Sequence, residues 1–585
     1  ALTAALALAL GGCAAPRSAP VPFDINLAAI NDLHGFLEAQ NFTYTSVTDK
    51  TPHTVRAGGI ETLSRALQSW RAQDPELLLV GAGDLVGASP PLSQMWADEP
   101  TIDALNLLGL RASTVGNHEF DAGKIELLRK QSGGCVTPLS AKACQFEPGF
   151  KGAQFSYLAA NVIDDATGKT LFPAYRIEQA HGVKIAFIGA VLQGTANVVR
   201  PSGVAGLHFG DEAEAINRTL PELKAQGVTV FVVLIHEGGT TREYFDEANC
   251  SHLNGPIVDI VKHLDPAIRL VISGHSHQGY LCNVDGRTVT QAQTAGHMLS
   301  RIALRIDPAT QTVGAVHAEN VLMLADSPVA GAASQAASQA ASQAASTSGA
   351  QAAAQVAPQA EITALLAKVR QRSTAVLNRP IARLALPVVT RKQNRAGESA
   401  LGDLLTDAQL AASKKLGAQI VFLNHSTMRS DLYANADGVS TYSQSATVVP
   451  FGNNMVVMNL TGAEIVAVLE QQKWKIEEHD DAMMLEVSDG FSYRWDARRA
   501  DGARVVPGSV TLHGVPLQAG ASYRVAVNSF IAEGGDHYSV FKAGRERVDS
   551  DVSDIGSLTD YLIARDKAGT PAGAAEPAGR VVRLN

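Results

Sequence analysis

Two α/β domains in series, separated by a low-complexity tract, are what the sequence predicts. Three observations carry that expectation: a length of 585 residues, short apolar runs alternating with helical stretches on both sides of a central tract, and the Ala-Ala-Ser-Gln repeats of that tract. Single hydrophobic cores stop growing at roughly 250–300 residues, so a chain this long divides. Apolar residues make up 46% and charged residues 18%, the composition of a globular chain. A formal net charge of −9 argues against the broad basic surface that binds nucleic-acid polymers. Small anionic ligands, held by a few arginines or metal ions, remain compatible with it.

Residues 1–22 read as a targeting segment. Ala1–Leu10 is an apolar run too short to span a bilayer, and it matches the core of a secretory signal. Leu10-Gly11-Gly12-Cys13 resembles a bacterial lipoprotein cleavage box, which would make Cys13 a lipid-anchored N-terminus; the alternative is an ordinary signal cut near Ala15. Either way the expectation is an exported protein, periplasmic or held at a bacterial cell envelope. No later stretch has the length and apolarity of a membrane span. Cys135, Cys144, Cys250 and Cys282 remain, an even number that suggests two disulfides, most simply Cys135–Cys144 and Cys250–Cys282, with free buried thiols as the alternative.

From residue 23 to 325 the β-rich runs include Glu76–Val80, Lys184–Ile188, Thr229–Ile235 and Arg269–Ile272. Each stops at small or polar residues, as buried strands do on reaching functional loops. Residues 326–360 form the Ala/Ser/Gln linker, which has no apolar stripe to pack. Glu361–Arg372 then places Ile362, Leu365, Leu366 and Val369 on one helical face. It opens a second α/β domain, 361–585, with strands expected at Gln419–Leu423, Met455–Leu460 and Tyr523–Val527.

Five loops of the first domain carry metal-ligand chemistry. They contain Asp32 and His34, Asp84, Asn117 to Asp121, His236, and His275 and His277, each after an apolar or β-like run. In an extended segment the i, i+2 spacing of Asp32/His34 and His275/His277 puts both side chains on one side. Carboxylate, carboxamide and imidazole gathered at one sheet edge make a divalent transition-metal site. A lone Asp after a strand is more often a helix cap, and a lone His more often core or surface; the set is what carries weight.

As a set, the D-x-H, GD, GNHEFD, H and GHSH motifs resemble those of the calcineurin-like metallophosphoesterases. The whole mature chain is similar to the bacterial periplasmic and cell-surface 5′-nucleotidases, which include UDP-sugar hydrolases and 2′,3′-cyclic-nucleotide phosphodiesterases. The resemblance implies a four-layer α/β/β/α catalytic domain followed by a substrate-binding domain of the 5′-nucleotidase C-terminal type. It implies two ions: Asp32, His34, Asp84 and His277 holding one, Asp84, Asn117, His236 and His275 the other, with Asp84 bridging. These ligands suit Mn or Zn first, and also Co or Fe. Two cations about 3.5–4 Å apart neutralise a phosphate ester and activate a water in line with the leaving oxygen. His118 would face the phosphoryl group as imidazolium and Asp121 would orient its ring.

The resemblance extends into the second domain. Arg395 precedes the Glu398-Ser399-Ala400-Leu401-Gly402-Asp403 motif in the place of a phosphate-binding arginine, and Asn424 and Arg429 bound an N-x-G-G-I-R-like loop. Ser426 and Thr427 replace its two glycines, which would allow close backbone approach to a ligand. Asp403 replaces a more usual Asn or Arg, and an acid there would disfavour an extra phosphate if it faced the site. Phe451 and Phe530 match base-stacking phenylalanines, and Asp536 matches a ribose-binding carboxylate. The function this implies is an exported nucleotidase releasing phosphate for nucleotide scavenging, with a small-molecule nucleotide as substrate and no protein partner. Alternatives are a diesterase or UDP-sugar hydrolase using the same centre, or a surface binding protein with a vestigial site; the complete ligand set disfavours the last.

Overall fold

The computed structural model describes residues 21–325, 357–475 and 483–585. Residues 1–20 of the proposed leader, Cys13 among them, and the Ala-Ala-Ser-Gln repeats lie outside them.

In the first domain two mixed sheets stack face to face. One runs in the order Thr312–Leu322, Met298–Asp307, Phe23–Ile30, Leu78–Ala82, Leu110–Thr114, Ser156–Leu158. The other runs Ala248–Cys250, Gly279–Val284, Arg287–Ala292, Ile268–Ile272, Val230–His236, Val183–Val191, Tyr175–Ala180. The central strands are continuous β-branched and aliphatic runs because both of their faces are buried. Ile25, Leu27 and Val80 of one sheet meet Phe187, Val232 and Leu234 of the other in the middle layer. The helix Ile60–Gln73 covers the outside of the first sheet with Leu63, Leu67 and Trp70, and Glu212–Ala225 covers the second with Ile216 and Leu220. The result is the expected four-layer α/β/β/α sandwich. Two disulfides pair Cys135 with Cys144 and Cys250 with Cys282.

The second domain centres on a five-stranded sheet in the order Leu485–Val487, Ile420–Asn424, Ser522–Asn528, Asn454–Thr461, Arg545–Ser553. The helix Ala400–Ser413, N-capped by the Ser399 hydroxyl accepting from the Gly402 N–H, packs beside it. The amphipathic helix, Ala360–Leu377, was expected to open this domain. Its Ile362, Leu366 and Val369 are instead buried with Trp70 and Trp96 of the first domain, and the Trp96 indole donates to Ser373 Oγ at 2.9 Å. An apolar stripe shows that a helix has a buried face, but not which surface covers it. Smaller contacts close the domains over one cleft: Gln94 Nε2 donates to Pro450 O at 2.8 Å and Arg200 Nη2 to Asn453 Oδ1 at 3.2 Å.

Candidate metal centre and substrate cleft

Every candidate ligand sits where a strand ends. Asp32 and His34 follow Phe23–Ile30, Asp84 follows Leu78–Ala82, Asn117 follows Leu110–Thr114, His236 closes Val230–His236, and His275 and His277 follow Ile268–Ile272. Within each sheet these strands are parallel neighbours, so their carboxyl ends share an edge. The extended geometry expected for the two i, i+2 pairs is not what converges them. Asp32, His34, Asp84, His275 and His277 all have left-handed backbones, with φ of 49°, 46°, 48°, 74° and 55°. Such non-glycine residues cost about 1–3 kcal/mol each unless their surroundings hold them. Here backbone bonds do so: Asp32 N–H to Gly83 O at 3.0 Å and His34 N–H to Asp84 O at 2.9 Å. The His275 N–H donates to the Asp32 carboxylate at 3.1 Å.

The donor atoms form two groups, Asp32/His34/His277 and Asp84/His236/His275, each within 4.8 Å. His275 and His277 thus belong to different groups. Asp84 joins the groups: its Oδ2 lies 2.9 Å from His236 Nε2 and 3.8 Å from His34 Nε2. Asn117 Oδ1 is 3.0 Å from His275 Nδ1. Asp84 Oδ2 and His236 Nε2 are both buried; 2.9 Å apart, they are not aligned for a hydrogen bond, and neither has another partner among the described residues. Buried polar atoms without partners are rare in proteins, and a cation between the groups would satisfy them. Charge points the same way. Burial, reinforced by Asp84, pushes the Asp32 carboxyl up to about 7. Despite burial, Asp84 and Asp32 hold the His236 ring up to about 10. Two buried carboxylates demand positive charge here, and the donor set fits divalent metal ions.

Glu119 holds this arrangement together, and no role was assigned to it from the sequence. Its buried carboxylate accepts the N–H groups of Asp84 and Leu85 at 2.8 Å, Val86 at 3.4 Å and Gly116 at 2.6 Å, tying two ligand loops to one side chain. Its place two residues after Asn117 was the available signal. Asn31 does similar work for Asp32, donating to its Oδ2 at 2.7 Å.

His118 lies at the rim, its Nδ1 3.0 Å from both oxygens of Asp121. Burial favours its neutral form, but Asp121 and Asp84 outweigh that and hold its pKa above the usual value. The Phe451 ring lies over His118, with centroids 5.8 Å apart and planes inclined by 23°. Phe451, Phe530, Asn424, Arg429 and Asp536 line a cavity of about 370 Å³ with Asn117, His118, Asp121 and His275. First-domain and second-domain residues therefore face each other across one space. Arg429 packs over Phe451, its Cζ 5.8 Å from the ring centroid.

Arg395 is a correction. It is exposed at the tip of a turn closed by the Gly397 N–H on Asn394 O at 3.1 Å, with Asn394 Oδ1 accepting from Ala396 and Glu398, and it does not line the cavity. Arg391, four residues earlier, does line it. Two other departures find structural explanations. Asp403 turns away from the cavity, accepting the Ala578 N–H at 2.7 Å with Arg580 at 3.6 Å. Ser426 Oγ donates to Asp536 Oδ2 at 2.6 Å, and Asn424 Nδ2 donates to the same oxygen at 2.8 Å. The carboxylate expected to meet ribose is already engaged on one oxygen. Asn424 is likewise committed, since its Oδ1 accepts from Thr427 and Asn528.

A sandwich of this kind with ligands at five strand ends is the calcineurin-like phosphoesterase fold. The profile of the calcineurin-like phosphoesterase family matches residues 25–279, and that of the 5′-nucleotidase C-terminal domain matches residues 376–543. The chain thus carries a calcineurin-like phosphoesterase domain followed by a 5′-nucleotidase C-terminal domain. A 5′-nucleotidase precursor from Thermus thermophilus superposes with a TM-score of 0.70 at 26% identity, over 96% of this chain and all of that one. An endonuclease of Bacillus subtilis is 26% identical over 93% of this chain, and a cell wall protein of Listeria monocytogenes 30% over 88%. The chain spans 40% and 64% of the lengths of those two relatives.

Proposed function

We propose that the chain is a metal-dependent phosphoester hydrolase acting on nucleotides. The observation that carries this reading is the convergence of two buried ligand groups on an unpartnered Asp84 Oδ2, directly across a cleft from Arg429 and two phenylalanines. In this reading Asp32, His34, Asp84 and His277 hold one divalent ion, and Asp84, Asn117, His236 and His275 the other. Bound there, the ions would neutralise the phosphate ester and lower the pKa of an attacking water. His118, whose Nδ1 is taken by Asp121, has Nε2 left to protonate the leaving alkoxide. Arg429, aided by Arg391, binds phosphate oxygens from the second domain, a role that passes from Arg395 to Arg391. Phe451 and Phe530 contact the base, and Asp536 Oδ1 is the oxygen left for ribose, because Oδ2 is taken.

Export and nucleotide scavenging belong to the same proposal. Export is supported by the two disulfides and by relatives described as a precursor and a cell wall protein. Among the described residues no helix is long and apolar enough to cross a membrane. The test is a phosphate-release screen over nucleoside mono-, di- and triphosphates, cyclic nucleotides and UDP-glucose, with metal content measured in parallel. Release should be abolished by chelation, restored by Mn or Zn, and reduced by several orders of magnitude in Asp84→Asn. Release from none of these compounds by metal-loaded protein, or near-normal turnover of Asp84→Asn with full metal content, overturns the reading.

A further inference from the structure

Beside the cleft lies a larger chamber of about 790 Å³, and Asp121, Arg200 and Phe451 line both spaces. Both volumes fall in the roughly 300–1,000 Å³ range of ligand sites. The two spaces therefore adjoin at these three side chains. Its walls are cationic, in a chain whose net charge is −9: Lys124, Lys130, Lys142 and Arg200 face Asp98 and Asp121.

Most of the negative charge there is already engaged. Asp121 holds His118 and accepts the Ala88 N–H at 2.9 Å. Asp98 Oδ1 accepts from Ser93 Oγ at 2.8 Å, and its Oδ2 stands 3.6 Å from the buried Lys130 ammonium. The positive charge is less fully matched. Lys124 pairs with Asp164 at 2.6 Å, but the Lys142 ammonium has no hydrogen bond or ion pair among the described residues, and Arg200 Nε is buried without a partner. Burial lowers the Lys142 pKa, and Lys130 beside it adds to that against the opposing pull of Asp98, so a further anion close by would relieve both penalties. The wall that carries Lys142 is firmly held. The Cys135–Cys144 disulfide closes it, and the Cys144 N–H donates to Glu99 Oε1 at 2.8 Å.

We propose that this chamber is a second phosphate subsite. It receives a phosphate on a part of the substrate beyond the scissile phosphate, reached past Asp121, Arg200 and Phe451. The substrate class is then a phosphodiester with a further phosphate beyond the scissile one, larger than a mononucleotide. This deepens the hydrolase reading and rests on it for the position of the scissile phosphate.

The test uses the metal-loaded full chain and two diesters that differ by one group: thymidine 5′-(4-nitrophenyl phosphate) and its 3′-phosphorylated counterpart. Nitrophenolate release gives kcat/KM for each, and AMP hydrolysis is measured alongside. The 3′-phosphate should raise kcat/KM at least about tenfold in the wild type, the size of one charge-assisted contact. Lys142→Gln and Lys142→Glu should remove that preference, Lys142→Arg should keep it, and AMP turnover should change less than about twofold. Binding of thymidine 3′,5′-bisphosphate by calorimetry adds a readout independent of turnover, and should weaken at least about fivefold in Lys142→Gln. No preference in the wild type, a preference that survives Lys142→Glu, or equal bisphosphate affinity in wild type and Lys142→Gln overturns the subsite. Weaker product inhibition by inorganic phosphate in Lys142→Gln with the diester preference intact also overturns it, in favour of a product site. Failure to hydrolyse AMP, with the bisphosphate result intact, counts against the mononucleotide reading alone.

Discussion

Glu119 offers the sharpest test of how the metal loops are held. Its Oε2 accepts from Asp84 and Gly116, and its Oε1 from Leu85 and Val86, so one carboxylate serves four backbone donors in a buried place. In Glu119→Gln one oxygen becomes an NH₂ group that can only donate. Whichever way the amide turns, two N–H groups lose their acceptor and face another donor. A buried hydrogen bond to a charged group contributes ~1.5–3 kcal/mol, so two losses come to ~3–6 kcal/mol, less whatever the loops recover by shifting. That shift is itself damaging, because the Gly83–Val86 segment carries Asp84 in its left-handed conformation. The variant should therefore unfold its first domain at lower denaturant by an amount equivalent to at least ~2 kcal/mol. It should also bind less metal and lose turnover in proportion. Denaturant unfolding followed by first-domain probes, with metal analysis on the same samples, measures both. Unchanged stability with full metal content would refute the reasoning, because the loops would then be holding themselves.

Three further outcomes follow from the cleft. His118→Ala should keep its metals and lose about 10²–10⁴-fold in kcat on nucleotides, with a smaller loss on aryl phosphates, whose leaving groups need less protonation; equal losses on both rule out a general-acid role. Phe530→Ala should raise KM for AMP about tenfold while sparing para-nitrophenyl phosphate, from the loss of base stacking. Phe451→Ala should damage both substrates, because Phe451 also packs on His118. Equal effects of Phe530→Ala on both substrates would mean its ring is structural. Finally, Arg391→Ala should raise KM for nucleotides several-fold, whereas Arg395→Ala should leave kinetics within about twofold of wild type. The reverse pattern would return the phosphate contact to Arg395.

Much of the first domain was legible in the sequence because its signals are local. Residues 230–235 form an unbroken apolar run and Ile268–Ile272 is interrupted only by the exposed Arg269, as strands buried on both faces require, and a polar residue, His236 or Ser273, follows each. Parallel strands then carry those ends to one sheet edge, so the order of the motifs was enough to gather Asp32, His34, Asp84, Asn117, His236, His275 and His277 on paper. How they meet was not legible. The expected extended pairs turned out to be left-handed loops, a backbone state set by hydrogen bonds to distant residues, such as His275 N–H to Asp32, 243 positions away.

By itself, then, the sequence determined the two α/β domains and the loops that carry the candidate metal ligands. Only the tertiary structure decided that Arg391 and not Arg395 reaches the cleft, since a turn between Asn394 and Gly397 points the latter outward. It alone set Ser426 against Asp536, buried the helix Ala360–Leu377 on the first domain, and gathered the lysines of the chamber from the segments 124–142 beside Arg200. The physical reason is common to these cases. Residue type and periodicity specify what a side chain can do and whether it is buried, whereas its partner is chosen by long-range packing that no short window of sequence contains.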